Sequence, residues 1–281
     1  GQINCRCDEG GILTMKKVIN LTIYNIGQAK GFILVVALLQ ILLQLGLKLK
    51  TLATAGLLTK QTLIVSPDLV KQVVLDQLAI GLPVFFAGTA ILVYSAVIWS
   101  KEWSSKGSFI YRLLMLPGSR FGIYWAKLLT MLVITFFLQA VQVVGVFLNY
   151  YLTSFFIPEF AQYHITPWSL VTNSIAMPLL VPQYAVQFLL ILTMGVALIV
   201  TVFQLAILVF GVEKKGYVRK VTSVVLYVLV IVVTFTAIMR TQFVVRLIGN
   251  EALVFLIGCM LIWIVLNMLL SDYLLNHKVS V

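Results

Sequence analysis

The chain has 281 residues, of which 61% are hydrophobic and only 10% charged, with a mean hydropathy of +1.06. A soluble domain is nearer half apolar and a quarter charged, so the composition excludes a water-soluble fold and makes the bilayer the solvent. The net charge of +11 would point to a polyanion in a soluble protein. Here the basic residues gather in short links between apolar runs, the pattern of the positive-inside rule, and no nucleic-acid partner is expected.

Residues 1–14, GQINCRCDEGGILT, differ in character from everything after them, whereas Met15 is followed by Lys16 and Lys17 as in many bacterial start regions. The expectation is that 1–14 is leader read-through or a disordered tail, and that 15–281 forms a single six-span domain. Asn20, Tyr24, Asn25 and Gln28 interrupt any apolar core before Lys30, so no cleavable signal peptide is expected after Met15. From Met15 to Lys30 the sequence reads as an amphipathic helix. Ile19, Ile23 and Ile26 form one stripe, which suits a helix lying in the membrane interface.

Six stretches are long and apolar enough to cross a bilayer of about 30 Å as helices. They lie near 31–49, 78–99, 125–150, 184–211, 221–239 and 252–271. The fold class is therefore an all-α integral membrane protein with six transmembrane helices. Pro83 predicts a kink in the second span or a start further along. Cys5, Cys7 and Cys259 make neither a disulfide framework nor a metal site.

Six spans place both termini on one side, and the basic residues choose which. Lys16, Lys17, Lys30, Lys101, Lys106, Arg112, Arg120, Lys127, Lys214, Lys215, Arg219, Lys220 and Lys278 fall on the side of the termini. Lys48, Lys50, Lys60, Lys71, Arg240 and Arg246 fall on the other. Thirteen against six puts both termini in the cytoplasm. The outer loops differ in kind: in 50–77, Ser66 can cap a short helix with Pro67 at its first position. The loop 151–183 has no Lys or Arg and is apolar enough to lie in the outer interface or re-enter the protein.

Polar residues inside the spans are spaced, not scattered. Gln40, Gln44 and Lys48 recur every four residues and share one face, as do Gln139 and Gln142, while Gln204 lies inside the fourth span. Such groups are costly against lipid and should face other helices or a wet cavity. They form either a helix seam or a substrate path. Asn267 and Asp272 are expected at the interface.

The link between the second and third spans, WSKEWSSKGSFIYRLLMLPGSRFGIYWAK, departs from its surroundings. Gly107 and Ser108 interrupt the helix leaving the second span, and Ser108 can cap another. Phe109 to Leu116 gives about two turns, with Ile110, Leu113 and Leu114 on one side and Arg112 on another. Pro117-Gly118 ends it as a turn. Glu102 and Lys106 are spaced for an i,i+4 pair. The expected product is a short cytoplasmic helix held rigidly between two membrane helices.

Glu102, Lys106-Gly107, Leu113 to Arg120, Tyr124 and Lys127 together resemble the cytoplasmic link of ABC type-2 exporter permeases. Those families typically show an acidic residue, a glycine, a leucine-proline-x-serine-arginine turn and a downstream tyrosine-x-x-lysine. The link motif covers about a tenth of the chain; the remainder agrees in span number, interfacial helix and length. One departure is the segment RTQFVVRLIGN, short for the re-entrant hairpin that some members carry before their last span.

The resemblance implies a permease subunit of a bacterial plasma-membrane exporter, with ATP and Mg bound and hydrolysed by a separate ATPase present in two copies. It implies a second permease, as homodimer or related heterodimer, contact with membrane lipids, and an amphipathic cargo such as an antimicrobial peptide, a lipid-like molecule or a drug. The link would dock on the ATPase through Glu102, Lys106, Gly107, Phe109, Ile110, Arg112, Leu113, Pro117 and Arg120. Lys214, Lys215 and Arg219 would make a second, smaller contact. The chain itself has no G-x-x-x-x-G-K-[ST], H-E-x-x-H or G-x-S-x-G, so neither ATP hydrolysis nor other bond chemistry is expected of it, and no cofactor. The competing readings are an ATPase-independent secondary carrier and a non-transporting membrane scaffold or sensor.

Overall fold

The computed structural model describes residues 6–54, 77–104, 120–156, 166, 184–211, 224–231 and 250–277. Among the described residues there is no strand. Five helices are long and apolar enough to cross a membrane: Met15–Thr54, Leu78–Lys101, Phe121–Phe156, Ala185–Phe210 and Leu253–Asn276. By length and composition the chain is a multi-pass membrane protein.

Helix α1 is Arg6–Thr54, α2 is Gln77–Ser104 and α3 is Arg120–Phe156. Helix α4 is Ala185–Ala206 and passes directly into a π-helical turn at Ile207–Gly211. Residues 224–231 form α5, and α6 is Asn250–His277. The expected span over 221–239 is thus described only in its 224–231 part.

One expectation changes and one is narrowed. The first span is expected apart from an interfacial helix, yet α1 runs 49 residues without a break at Lys30-Gly31. At 1.5 Å per residue that is about 74 Å, more than twice the hydrocarbon thickness of about 30 Å. No proline interrupts it, and an interior glycine costs only about 1 kcal/mol against alanine. Of the two outcomes open at Pro83, a kink or a later start, the later start does not occur: the proline lies inside α2. Three residues before it, the Ile80 carbonyl accepts the Gln142 side-chain amide at 3.3 Å.

The chain divides into two compact units. One comprises Gly1–Gln28, Leu92–Leu132 and Leu189–Val281; the other comprises Ala29–Ile91 and Val133–Phe188.

In the first unit, α1 turns its polar side inward. Thr22 and Asn25 are buried, while Ile19 and Ile23 are 53% and 62% exposed. The Thr22 hydroxyl lies 2.8 Å from the Val18 carbonyl and 3.3 Å from that of Ala126 on α3. Ile19 and Ile23 therefore lie on the outer face, with Ile26 half-buried beside it, and the helix meets protein largely through its small and polar residues. This is the packing expected where the solvent is lipid: helices gain nothing by hiding leucine from acyl chains, but much by bringing small and hydrogen-bonding groups together.

The second unit repeats the inversion. Gln40, Gln44 and Lys48 are buried, whereas Leu38 and Leu42, on the other side of the same turns, are 53% and 64% exposed.

Candidate functional site

The first unit holds the ends of the two helices that flank the 105–119 link, and they are joined by an aromatic cluster with a lysine in it. Tyr124 and Lys127 are three residues apart on α3 and so share a face. Both are fully buried, as is Trp99 near the end of α2. The Lys127 ammonium stands 3.6 Å from the centroid of the Trp99 ring and donates to the Ile98 carbonyl at 3.4 Å. A desolvated ammonium on an indole face is held by about 2 kcal/mol. Lys127 enters the sequence reading as a topology charge and as the last residue of the tyrosine-x-x-lysine pattern; its burial against Trp99 makes it part of the packing as well.

Aromatic rings complete the cluster. Phe203 of α4 meets Trp99 at 5.7 Å and 78°, and Tyr124 at 5.6 Å and 85°. Trp99 and Tyr124 are 6.3 Å apart, and Phe121 stacks on Tyr124 at 5.6 Å and 10°. Edge-to-face pairs of this kind add about 0.5–1.5 kcal/mol each beyond area burial, and they fix the ring angles. Helices α2, α3 and α4 are thereby pinned together at this point.

Beside Phe203, the Gln204 side chain is fully buried and its Oε1 accepts the Ser271 hydroxyl of α6 at 2.5 Å. One turn earlier on α6, Asn267 is also buried: its Oδ1 accepts the Tyr227 hydroxyl of α5, and its Nδ2 donates to the Trp263 carbonyl at 2.9 Å. The Trp263 indole N–H donates to Thr201 of α4 at 3.0 Å. Asn267, expected at the membrane interface, links α5 to α6, because α5 presents a tyrosine to it. Asp272 is half-buried and accepts from Asn276 at 2.9 Å.

The second unit contains the expected amide row. Gln40 Nε2 donates to Gln142 Oε1 at 2.6 Å, joining α1 to α3, and Gln142 Nε2 continues to Ile80 of α2. One turn on, the Gln44 amide packs directly on Gly145, where any Cβ would collide with it. Pairings of 40 with 142 and 44 with 145 show α1 and α3 running side by side in the same direction. Lys48, Asn149 and Thr153 are buried further along these faces. Gln139 is only half-buried. Gln204 belongs to the first unit, so the five candidate amides make two sites, not one.

Of the expected link residues, Glu102 lies in the last turn of α2 and Arg120 begins α3. Lys106, Gly107, Phe109, Ile110, Arg112, Leu113 and Pro117 lie outside the described residues, as do Lys214, Lys215 and Arg219. Sequence reasoning passed over Trp99, Ser271 and Tyr227. Ser271 and Asn267 carried a signal, being four residues apart on an apolar helix. Trp99 carried none, because its partners are distant in sequence.

Comparison with protein-family models, with curated proteins and with solved structures finds no match.

Proposed function

We propose that this chain is the membrane-embedded permease subunit of an ATP-driven exporter of the ABC type-2 kind, working with a separate ATPase in a bacterial plasma membrane. The 105–119 link is its cytoplasmic handle, and both termini lie on that same side. The observation that carries the reading is the Trp99–Lys127–Tyr124 cluster, which ties together the two helix ends from which the link emerges. A force applied to a link between loosely packed helices dissipates in loop motion. Applied between pinned helices, it displaces them as one body, which is how a nucleotide-driven closure reaches the membrane. The lysine and tyrosine of the cluster are also the tyrosine-x-x-lysine part of the pattern on which the resemblance rests.

In this reading the Gln40–Gln142 pair is a helix seam and not the wall of a substrate path, since both amides are buried against each other. The cargo is amphipathic, of the antimicrobial-peptide, lipid-like or drug class, and enters from the membrane or the cytoplasm. Substitution of Arg112 and Arg120 by glutamate tests the assignment. The doubly reversed chain is expected to reach the membrane normally and to lose most of the co-purifying P-loop ATPase together with ATP-dependent export. Undiminished assembly and export would remove the link from the mechanism.

A further inference from the structure

In the first unit, α1 and α3 touch at Thr22 and Ala126, and beside that contact larger side chains line a groove of about 310 Å³. Met15, Val18 and Ile19 form one wall; Phe121, Trp125 and Leu129 form the other. The volume lies at the small end of ligand sites, about 300–1,000 Å³, and no charged residue lines it. The α3 wall is anchored. Phe121 meets Trp125 edge to face at 5.9 Å and 82° and stacks on the buried Tyr124. Its three residues recur every four positions, so the groove is a strip along the helix. The mouth is open, since Met15, Ile19, Trp125 and Leu129 are all exposed.

One end of the strip is basic. Lys16 and Lys17 follow Met15 and are exposed, while α1 carries no acidic residue after Glu9 and α3 carries none at all. The two helices run in the same direction, so α3 begins, at Arg120, at this same end and brings the positive pole of its macrodipole there. In the other direction the strip passes Ile19 and Leu129 and joins the apolar outer face. A positive end followed by a strip that accepts only hydrocarbon has the polarity of one amphiphile with an anionic head.

We propose that this groove holds one anionic phospholipid of the bilayer, with an acyl chain in the strip between α1 and α3 and the phosphate at Lys16 and Lys17. Basic pockets between membrane helices take anionic headgroups in this way. The Trp125 indole sits where tryptophan is enriched, at the level of the headgroups. A zwitterionic lipid would fill the strip as well, but it brings its own cation to the lysines. The headgroup charge therefore sets the preference, and the chain sets the place.

The test purifies the full chain with equal parts of phosphatidylglycerol and phosphatidylcholine and counts the retained lipids by native mass spectrometry. A single retained phosphatidylglycerol is expected, favoured over phosphatidylcholine on the order of tenfold. Lys16→Gln together with Lys17→Gln is expected to remove most of that preference. Leu129→Trp, which fills the strip, is expected to lower retention of both lipids. Equal retention of the two lipids by the unaltered chain, or behaviour unchanged in either variant, would overturn the proposal. So would a second copy of the chain that stays bound after the lipid is stripped and is released by Leu129→Trp, which would give the groove to protein. Should a variant not fold, phosphatidylglycerol with a diazirine in its acyl chain is cross-linked to the unaltered chain. Label concentrated around Ile19 and Trp125, and chased by unlabelled phosphatidylglycerol but not by phosphatidylcholine, supports the site; label spread evenly along the exposed helix faces ends it. Neither readout involves an ATPase or transport, so the result stands apart from the exporter assignment.

Discussion

Lys127 and Trp99 are 28 positions apart in the chain and 3.6 Å apart in space, ammonium over indole. The contact joins α2 to α3 close to where the two helices flank the 105–119 link. Lys127 makes other interactions as well, including that with the Ile98 carbonyl, so the pair is best measured by a cycle of Trp99→Leu, Lys127→Met and the double variant. A coupling of about 0.5–2 kcal/mol is expected between them, read from unfolding free energies in bicelles. A coupling of zero would mean the ring and the charge are merely adjacent.

Gly145 gives the Gln44 amide its room. A methyl group at Gly145 would come within 2.9 Å of the Gln44 amide carbon, so the end of that side chain must swing aside. Gly145→Ala is therefore expected to cost no more than about 1 kcal/mol, and Gln44→Ala in the same chain is expected to recover most of that. If the double variant is no more stable than Gly145→Ala alone, the crowding is not with Gln44.

The Gln40–Gln142 bond should show the asymmetry of buried hydrogen bonds. Gln40→Leu leaves Gln142 Oε1 buried without its donor, whereas replacing both glutamines by leucine leaves no orphan between them. The single variant is therefore expected to be the less stable, by about 1 kcal/mol, although Gln142→Leu also withdraws the donor from Ile80. Interhelical bonds of this kind average only about 0.6 kcal/mol in membrane proteins, so the difference between variants is more informative than either value.

The exposed side of α1 should tolerate apolar exchange and refuse charge. Leu42→Ala is expected to be nearly neutral, while Leu42→Lys should raise the apparent cost of inserting α1 by about 3–4 kcal/mol in a glycosylation-reporter assay. Equal behaviour of the two would place Leu42 against protein and not lipid.

How far the sequence spoke depended on which solvent its pattern was read against. The four-residue recurrence of Gln40, Gln44 and Lys48 is local, and in an apolar run it has a single meaning: these groups turn away from lipid. They do. The stripe Ile19, Ile23 and Ile26 suits a helix whose apolar side meets lipid, and in the folded chain Thr22 and Asn25 are buried while Ile19 and Ile23 face outward. The partner of Asn267, Tyr227, was not legible because their pairing joins separate helices. Nor was that of Lys127: it follows Arg120 in a basic stretch, and only tertiary structure shows the indole over which it sits. Length was legible and breaks were not: nothing in Lys30-Gly31 forbids a helix from continuing, and α1 continues.

The exporter assignment stands or falls on what the link touches. A photo-activatable amino acid placed at Ile110, illuminated in living cells of the native host, captures its neighbour covalently for identification by mass spectrometry. The account predicts a cross-linked P-loop ATPase, lost when Arg112 and Arg120 are both changed to glutamate. A cross-link only to extracellular or lipid species, with no ATPase captured under conditions that support transport, would contradict it.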